Sequence, residues 1–126
     1  MGWSDYLGLI ANADVMLDPF HFGGANTTCE GLALGIPVVT RPPAFLRGRH
    51  SLGCYLRMGM NECVAATPQQ YVEIAVRLGT DRDSRRAICE RIAEACDVLY
   101  ENHEMVPALE AFFEEALASA CDQTVG

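Results

Sequence analysis

Leu7, Ile10 and Ala11 recur at helical spacing within residues 4–13, and Val15, Met16 and Leu17 then form a short apolar run closed by Pro19. This pattern predicts a helix followed by a strand. Gly23, Gly24, Ala25 and Asn26 form a turn-rich loop, after which Thr27 and Glu30 fit a capping box at a helix start. Gly35 and Pro37 limit that helix, and residues 37–40 form a second apolar strand. A strand-loop-helix-strand unit of this kind, closed by a right-handed crossover, predicts two parallel neighbours with ligands at the C-terminal ends of the strands.

Beyond residue 40 the pattern predicts a loop over 41–49, a helix over 51–58 and a further short strand over 62–66. Thr67, Pro68 and Gln70 supply an N-cap, a proline at the first helical position and a capping-box partner for a helix to Leu78. A start signal at residues 80–83 precedes a helix whose Cys89, Ile92, Ala93, Cys96 and Leu99 form one apolar stripe. The last helix, from Glu104, is expected to bury Val106, Leu109, Phe112, Phe113, Ala116 and Leu117, and residues 122–126 to fray. The fold class is α/β: a short parallel sheet with flanking helices (residues 1–100) and a helical C-terminal tail (residues 101–126) packed on it. Two or three strands fall short of the roughly five or six of an open doubly wound sheet. The natural chain is therefore expected to continue upstream, and the sheet to expose a strand edge through which two copies form a homodimer.

Composition narrows the function. The 126 residues, 50% of them apolar, suit one domain. No apolar run approaches the roughly 20 residues of a membrane span, and the first residues lack a secretion signal, so no membrane association and a cytoplasmic location are expected. The formal charge is −8 and all nine basic residues are arginine, which removes Schiff-base and P-loop lysines and opposes nucleic acid as a partner. None of the six cysteines is spaced as C-x-x-C, and most lie in apolar periodic segments; they read as buried free thiols in a reducing compartment, with no metal ligand set.

The chemistry gathers at residues 23–30. Gly24, Asn26, Thr27 and Thr28 bring backbone N–H groups, hydroxyls and the positive end of a helix dipole to one point, a site for phosphate. The same residues also suit a plain capped helix after a flexible loop. Glu30 either folds back onto the Thr27 backbone or accepts hydrogen bonds from a ribose diol, for which a carboxylate offers two acceptor oxygens. His21 and His50 lack a carboxylate partner close in sequence and read as solvent-facing or structural, so no catalytic residue is assigned. Arg47 and Arg49 are alternative anion contacts.

The unbroken run over residues 13–40, containing Asp18-Pro19-Phe20-His21-Phe22-Gly23-Gly24-Ala25-Asn26-Thr27-Thr28-Cys29-Glu30-Gly31, resembles the signature block of the SPINDLY and O-GlcNAc transferase family. The likeness continues through Arg47-Gly48-Arg49, residues 56–60 and residues 71–78, and weakens after Tyr100. The resemblance implies the C-terminal part of a GT-B enzyme built on Rossmann-like halves. It further implies inverting, metal-independent transfer, without a cofactor, from a UDP-sugar donor to a protein acceptor, usually with tetratricopeptide repeats upstream. By position it puts Asn26 and Thr27 at the diphosphate with Thr28 adjacent, Glu30 at the ribose, and Arg49 near an arginine that follows the second strand. Tyr6 falls where the family has a histidine that contacts the base; its ring either stacks on uracil or is a half-buried helix tyrosine. Asparagine at the first diphosphate position and Glu in place of Asp depart from the family pattern. The resemblance implies the donor-site portion of a glycosyltransferase that is inactive alone; the alternative is a non-catalytic interaction module that retains the scaffold.

Overall fold

The computed structural model describes residues 2–124, with Met1, Val125 and Gly126 outside it and no account of side chains from Cys121 onward. The elements are α1 (Trp3–Ala11), β1 (Met16–Leu17), α2 (Asn26–Ala33), β2 (Val38–Val39), α3 (His50–Arg57), α4 (Pro68–Thr80), α5 (Arg82–Ala95) and α6 (Met105–Thr124). Short 3-10 turns cover Leu46–Gly48 and Cys96–Leu99. No helix among the described residues is long and apolar enough to cross a membrane.

The two strands pair in parallel, with Met16 opposite Val38 and Leu17 opposite Val39, as the strand-helix-strand pattern predicts. Helix α2 between them ends in a Schellman motif. Gly35 is at φ +73°, its N–H donates to the Leu32 carbonyl (3.0 Å), and the Ile36 N–H donates to the Gly31 carbonyl (2.9 Å). The helix lies so close to β1 that a Cβ on Gly31 would stand 2.5 Å from the Met16 sulfur, so a larger residue there would displace the Met16 side chain.

The strand expected over 62–66 shrinks to a single parallel bridge between Thr40 and Val64. The outward-facing N–H of Val38, which a longer third strand would have satisfied, instead donates to the Tyr55 hydroxyl at 2.9 Å. Tyr55 is fully buried, and desolvation carries its pKa far above the ordinary phenol value. It belongs to one core with Leu32, Val38, Val39, Met58, Cys63, Leu78 and Ile92. The other edge, that of β1, has no strand beside it among the described residues.

Helices α4 and α5 close the core. Thr67 caps α4 through the Gln70 N–H (3.1 Å), while the Gln70 amide oxygen accepts from Ala66 rather than from Thr67 (2.8 Å). Asp81, within the expected start signal, caps α5, accepting from the N–H groups of Asp83 and Ser84. The inward stripe of this region is Ile88, Ile92 and Cys96, with Cys89 and Leu99 half-buried. Ala93 is exposed, contrary to expectation, because the inward face is set by Ile88 one turn earlier.

Two further corrections concern α6. Its residues Val106, Leu109, Phe112, Phe113 and Leu117 are exposed, between 49% and 67%, and Ala116 is exposed too. The periodicity marks an apolar face, but the other described residues leave it exposed. Backbone helix extends to Thr124, so residues 122–124 are helical; the last part of that expectation lies outside the described residues.

Replacing Tyr55 by Phe keeps the ring and strands the buried Val38 N–H. Tyr55→Phe is expected to lower unfolding free energy by about 1–3 kcal/mol in urea denaturation, and an unchanged midpoint would contradict the role given to the hydroxyl.

Candidate functional site

Asp18 closes β1 and starts the site. Its N–H remains in the sheet, donating to the Val39 carbonyl (2.9 Å), while its side chain is buried, with 4% of the residue exposed. One carboxylate oxygen accepts from the Thr40 hydroxyl at 2.8 Å and the other from the Gly24 N–H at 3.0 Å. A buried carboxylate is stable only when its acceptors are used, so the loop is drawn back over the ends of both strands. Gly23 fits because a Cβ there would approach the carboxylate at 3.0 Å. The loop is also held from outside: the Gly23 N–H donates to the Arg47 carbonyl (3.1 Å) and Arg47 Nε donates to the His21 carbonyl (3.2 Å). Beneath it, the Tyr71 hydroxyl donates to the Asp18 carbonyl (3.1 Å), Phe20 meets the Tyr71 ring edge-on at 4.8 Å, and the Arg41 guanidinium lies over Phe20.

This anchored loop delivers the start of α2. The expected Thr27–Glu30 capping box does not form: Ala25 is the N-cap, no side chain caps the helix, and Asn26 and Thr27 lie within the first turn. The first intrahelical bond runs from the Cys29 N–H to the Ala25 carbonyl (3.1 Å), so the amides of Asn26, Thr27 and Thr28 precede it and form the positive end of the helix dipole. Asn26 and Thr27 are exposed. Glu30 turns instead to Tyr6 of α1, whose hydroxyl donates to Oε2 at 3.0 Å and lies 3.4 Å from the Thr27 hydroxyl. Tyr6 and Glu30 are half-buried.

Thr28 departs from its expected place beside a ligand. It is 2% exposed, its hydroxyl donates to the Gly24 carbonyl (2.7 Å) and it meets the Ser51 hydroxyl at 3.0 Å. Its side chain therefore braces the loop against α3, and only its backbone belongs to the helix start. Arg49 is exposed and donates to the Pro43 carbonyl (2.9 Å); no hydrogen bond or ion pair joins it to Tyr6, Thr27 or Glu30. It lines a cavity of about 370 Å³ with Cys29, His50 and Cys54. Burial, then the neighbouring Cys29, push the Cys54 thiol up to about 11, which keeps it protonated. His21 is exposed, as read from the sequence. A larger cavity, about 590 Å³, is lined by Glu62, Gln70, Glu73 and Arg77 among others, and by none of the expected site residues.

Sequence reasoning passed over Asp18, Ser51 and Tyr71. Asp18 carried one signal: an acid directly after an apolar strand and just before a double glycine, where loop amides need an acceptor. Ser51 and Tyr71 carried none, because their partners lie 23 and 53 residues away.

Residues 8–104 match the family described as glycosyl transferase family 41. Over 127 aligned residues the chain is 29% identical to a probable UDP-N-acetylglucosamine–peptide N-acetylglucosaminyltransferase SPINDLY from Petunia hybrida, covering 96% of this chain and 13% of that one. It is 45% identical over 71 residues to a UDP-N-acetylglucosamine–peptide N-acetylglucosaminyltransferase from Caenorhabditis elegans (56% of this chain, 6% of the relative). It is 32% identical over 93 residues to a UDP-glucose:protein N-beta-glucosyltransferase from Actinobacillus pleuropneumoniae (73% and 15%). Among solved structures, a mutant O-GlcNAc transferase from Thermobaculum terrenum superposes with a TM-score of 0.85 at 29% identity, over 100% of this chain and 24% of that one. The helix-rich arrangement around a short parallel sheet is thus part of an O-GlcNAc transferase-like GT-B fold, and the chain spans a small fraction of the length of these relatives.

Asp18→Ala strands the Gly24 N–H and the Thr40 hydroxyl together. A loss of about 2–4 kcal/mol in unfolding free energy is expected by chemical denaturation, and a loss below about 0.5 kcal/mol would show that the carboxylate does not hold the loop.

Proposed function

This chain belongs to glycosyl transferase family 41, and from that premise we propose that it forms the donor-site portion of a UDP-sugar-dependent protein glycosyltransferase. The names of the relatives share a UDP-sugar donor and a protein acceptor, carrying N-acetylglucosamine in two cases and glucose in the third. The observation that carries the reading is the helix start without a side-chain cap at the strand ends, where the Asn26 and Thr27 side chains are exposed beside free first-turn amides. Those donors suit a diphosphate. Glu30 suits the ribose: its Oε2 accepts from Tyr6, and a diol would bridge its oxygens by displacing or sharing that phenol. Tyr6 then flanks the base. Gly24 and Thr28 act by shaping the turn, and Arg49 reaches the diphosphate only if it leaves the Pro43 carbonyl.

The transfer proposed is inverting and draws on N–H groups and hydroxyls rather than a metal to hold the diphosphate. A helix dipole with a few hydrogen bonds contributes about 2 kcal/mol to an anion, whereas millimolar affinity needs about 4 kcal/mol. The chain by itself is therefore proposed to bind UDP no better than millimolar and to transfer no sugar. Pairing of two copies through the β1 edge belongs to the same proposal, and sedimentation at high concentration measures it. The second reading, an interaction module on an old scaffold, draws on the exposed apolar row of α6.

In a glycosyl-transfer assay on the full open reading frame containing this chain, Thr27→Ala and Glu30→Ala are each expected to lower kcat/KM more than about tenfold, equivalent to about 1.4 kcal/mol of lost donor contact. Activity unchanged in both variants would remove the donor-site reading and leave the interaction module.

A further inference from the structure

We propose that Cys29, His50 and Cys54 form a binding site for a thiophilic divalent cation of the Zn²⁺ class, with a fourth coordination position open to the adjoining cavity. The three residues come from two helices: Cys29 from α2, His50 from the first position of α3, and Cys54 one turn later on the same face of α3. Both sulfurs approach the same ring nitrogen, His50 Nε2, at 3.4 Å from Cys29 and 3.6 Å from Cys54. All three ligand atoms lie within 4.8 Å of one another.

Tetrahedral zinc places sulfur at about 2.3 Å and imidazole nitrogen at about 2.0–2.1 Å, which sets ligand sulfur and nitrogen about 3.5 Å apart. The observed separations fall on either side of that value. In hydrogen bonding a neutral imidazole nitrogen offers one lone pair and accepts from one of the two thiols at a time, the other thiol being left to its sulfur neighbour. A cation among the three atoms engages all of them. Binding the cation would release the two thiol protons to solvent, the resulting thiolates balance a divalent charge, and soft sulfur with imidazole selects Zn²⁺ over Mg²⁺ or Ca²⁺.

The surroundings suit a site with an open position. Arg49, Gly53, Arg57, Asn102 and Met105 line the same cavity of about 370 Å³, so a water or small anion has room to complete the tetrahedron. Ligation would fasten α2 to α3 beside the place where Thr28 and Ser51 already touch. The site is separate from the donor reading, since none of the three ligands belongs to it, and the spacing of 21 residues between Cys29 and His50 hid it from any local motif.

The test titrates the reduced, metal-free chain with Co²⁺ and then competes the ion off with Zn²⁺. One equivalent of Co²⁺ is expected, with thiolate charge-transfer absorption in the near ultraviolet, intense tetrahedral d–d bands, and full loss of both on adding Zn²⁺. His50→Ala changes an exposed residue, and Cys29→Ser a half-buried one, so both are expected to keep the wild-type far-ultraviolet circular dichroism. Each is expected to weaken Zn²⁺ binding by more than the roughly 100-fold that loss of an outer-sphere partner causes. Absence of charge-transfer absorption, Zn²⁺ affinity unchanged in both folded variants, or a Cys29–Cys54 disulfide as the sole product in air with no cation uptake under reduction would each overturn the proposal.

Discussion

The buried carboxylate of Asp18 is the constraint on which the rest of the site depends. A polar group this deep needs its oxygens used, and the Thr40 hydroxyl and the Gly24 N–H both donate to it, which fixes where three separate stretches of chain must lie. The strand end, the double-glycine loop and the end of β2 become one corner. Because that corner closes directly onto residue 25, the first turn of α2 emerges at the C-terminal ends of the strands, where parallel sheets present their ligand sites. The loop is rigid at its root and polar at its tip, an arrangement that lets backbone N–H groups face a ligand without reorganisation when it arrives.

A second consequence follows at α2 itself. A helix start normally recruits a side-chain cap worth about 1 kcal/mol, and this one has Ala25 at that position. Thr28 is occupied inside, bonded to Gly24 and Ser51, and Glu30 is occupied sideways, bonded to Tyr6. Neither side chain therefore reaches back to the first-turn N–H groups, and the exposed Thr27 hydroxyl does not cap them either. The stability given up at the cap is a local inconsistency of the kind found at functional sites.

Elements whose signals are local were legible in the sequence. Gly35 and Pro37 announced the end of α2, Thr67 with Pro68 announced the start of α4, and the apolar runs around Met16 and Val38 announced a parallel pair. What escaped was set by partners far along the chain. The Thr27–Glu30 box lost to a tyrosine 24 residues before Glu30, and Asp18 drew its meaning from Thr40, 22 residues on. The third strand is reduced to one bridge, and the Val38 N–H beside it is satisfied by Tyr55, 17 residues on. For α6 the periodicity named the apolar face correctly, but periodicity carries no information on whether anything covers that face. The cysteines read as isolated thiols for the same reason, since only the packing of α2 on α3 brings Cys29 to His50 and Cys54.

The central claim is that the first-turn amides of α2 are shaped to take a diphosphate. It is tested most directly by amide-resolved NMR of the chain titrated in parallel with UDP and with uridine. The account predicts that UDP shifts the backbone N–H signals of Asn26, Thr27 and Thr28 while uridine leaves them nearly still, so that the response follows the phosphates. Equal responses to the two ligands, or no response to UDP at concentrations well above millimolar, would contradict it.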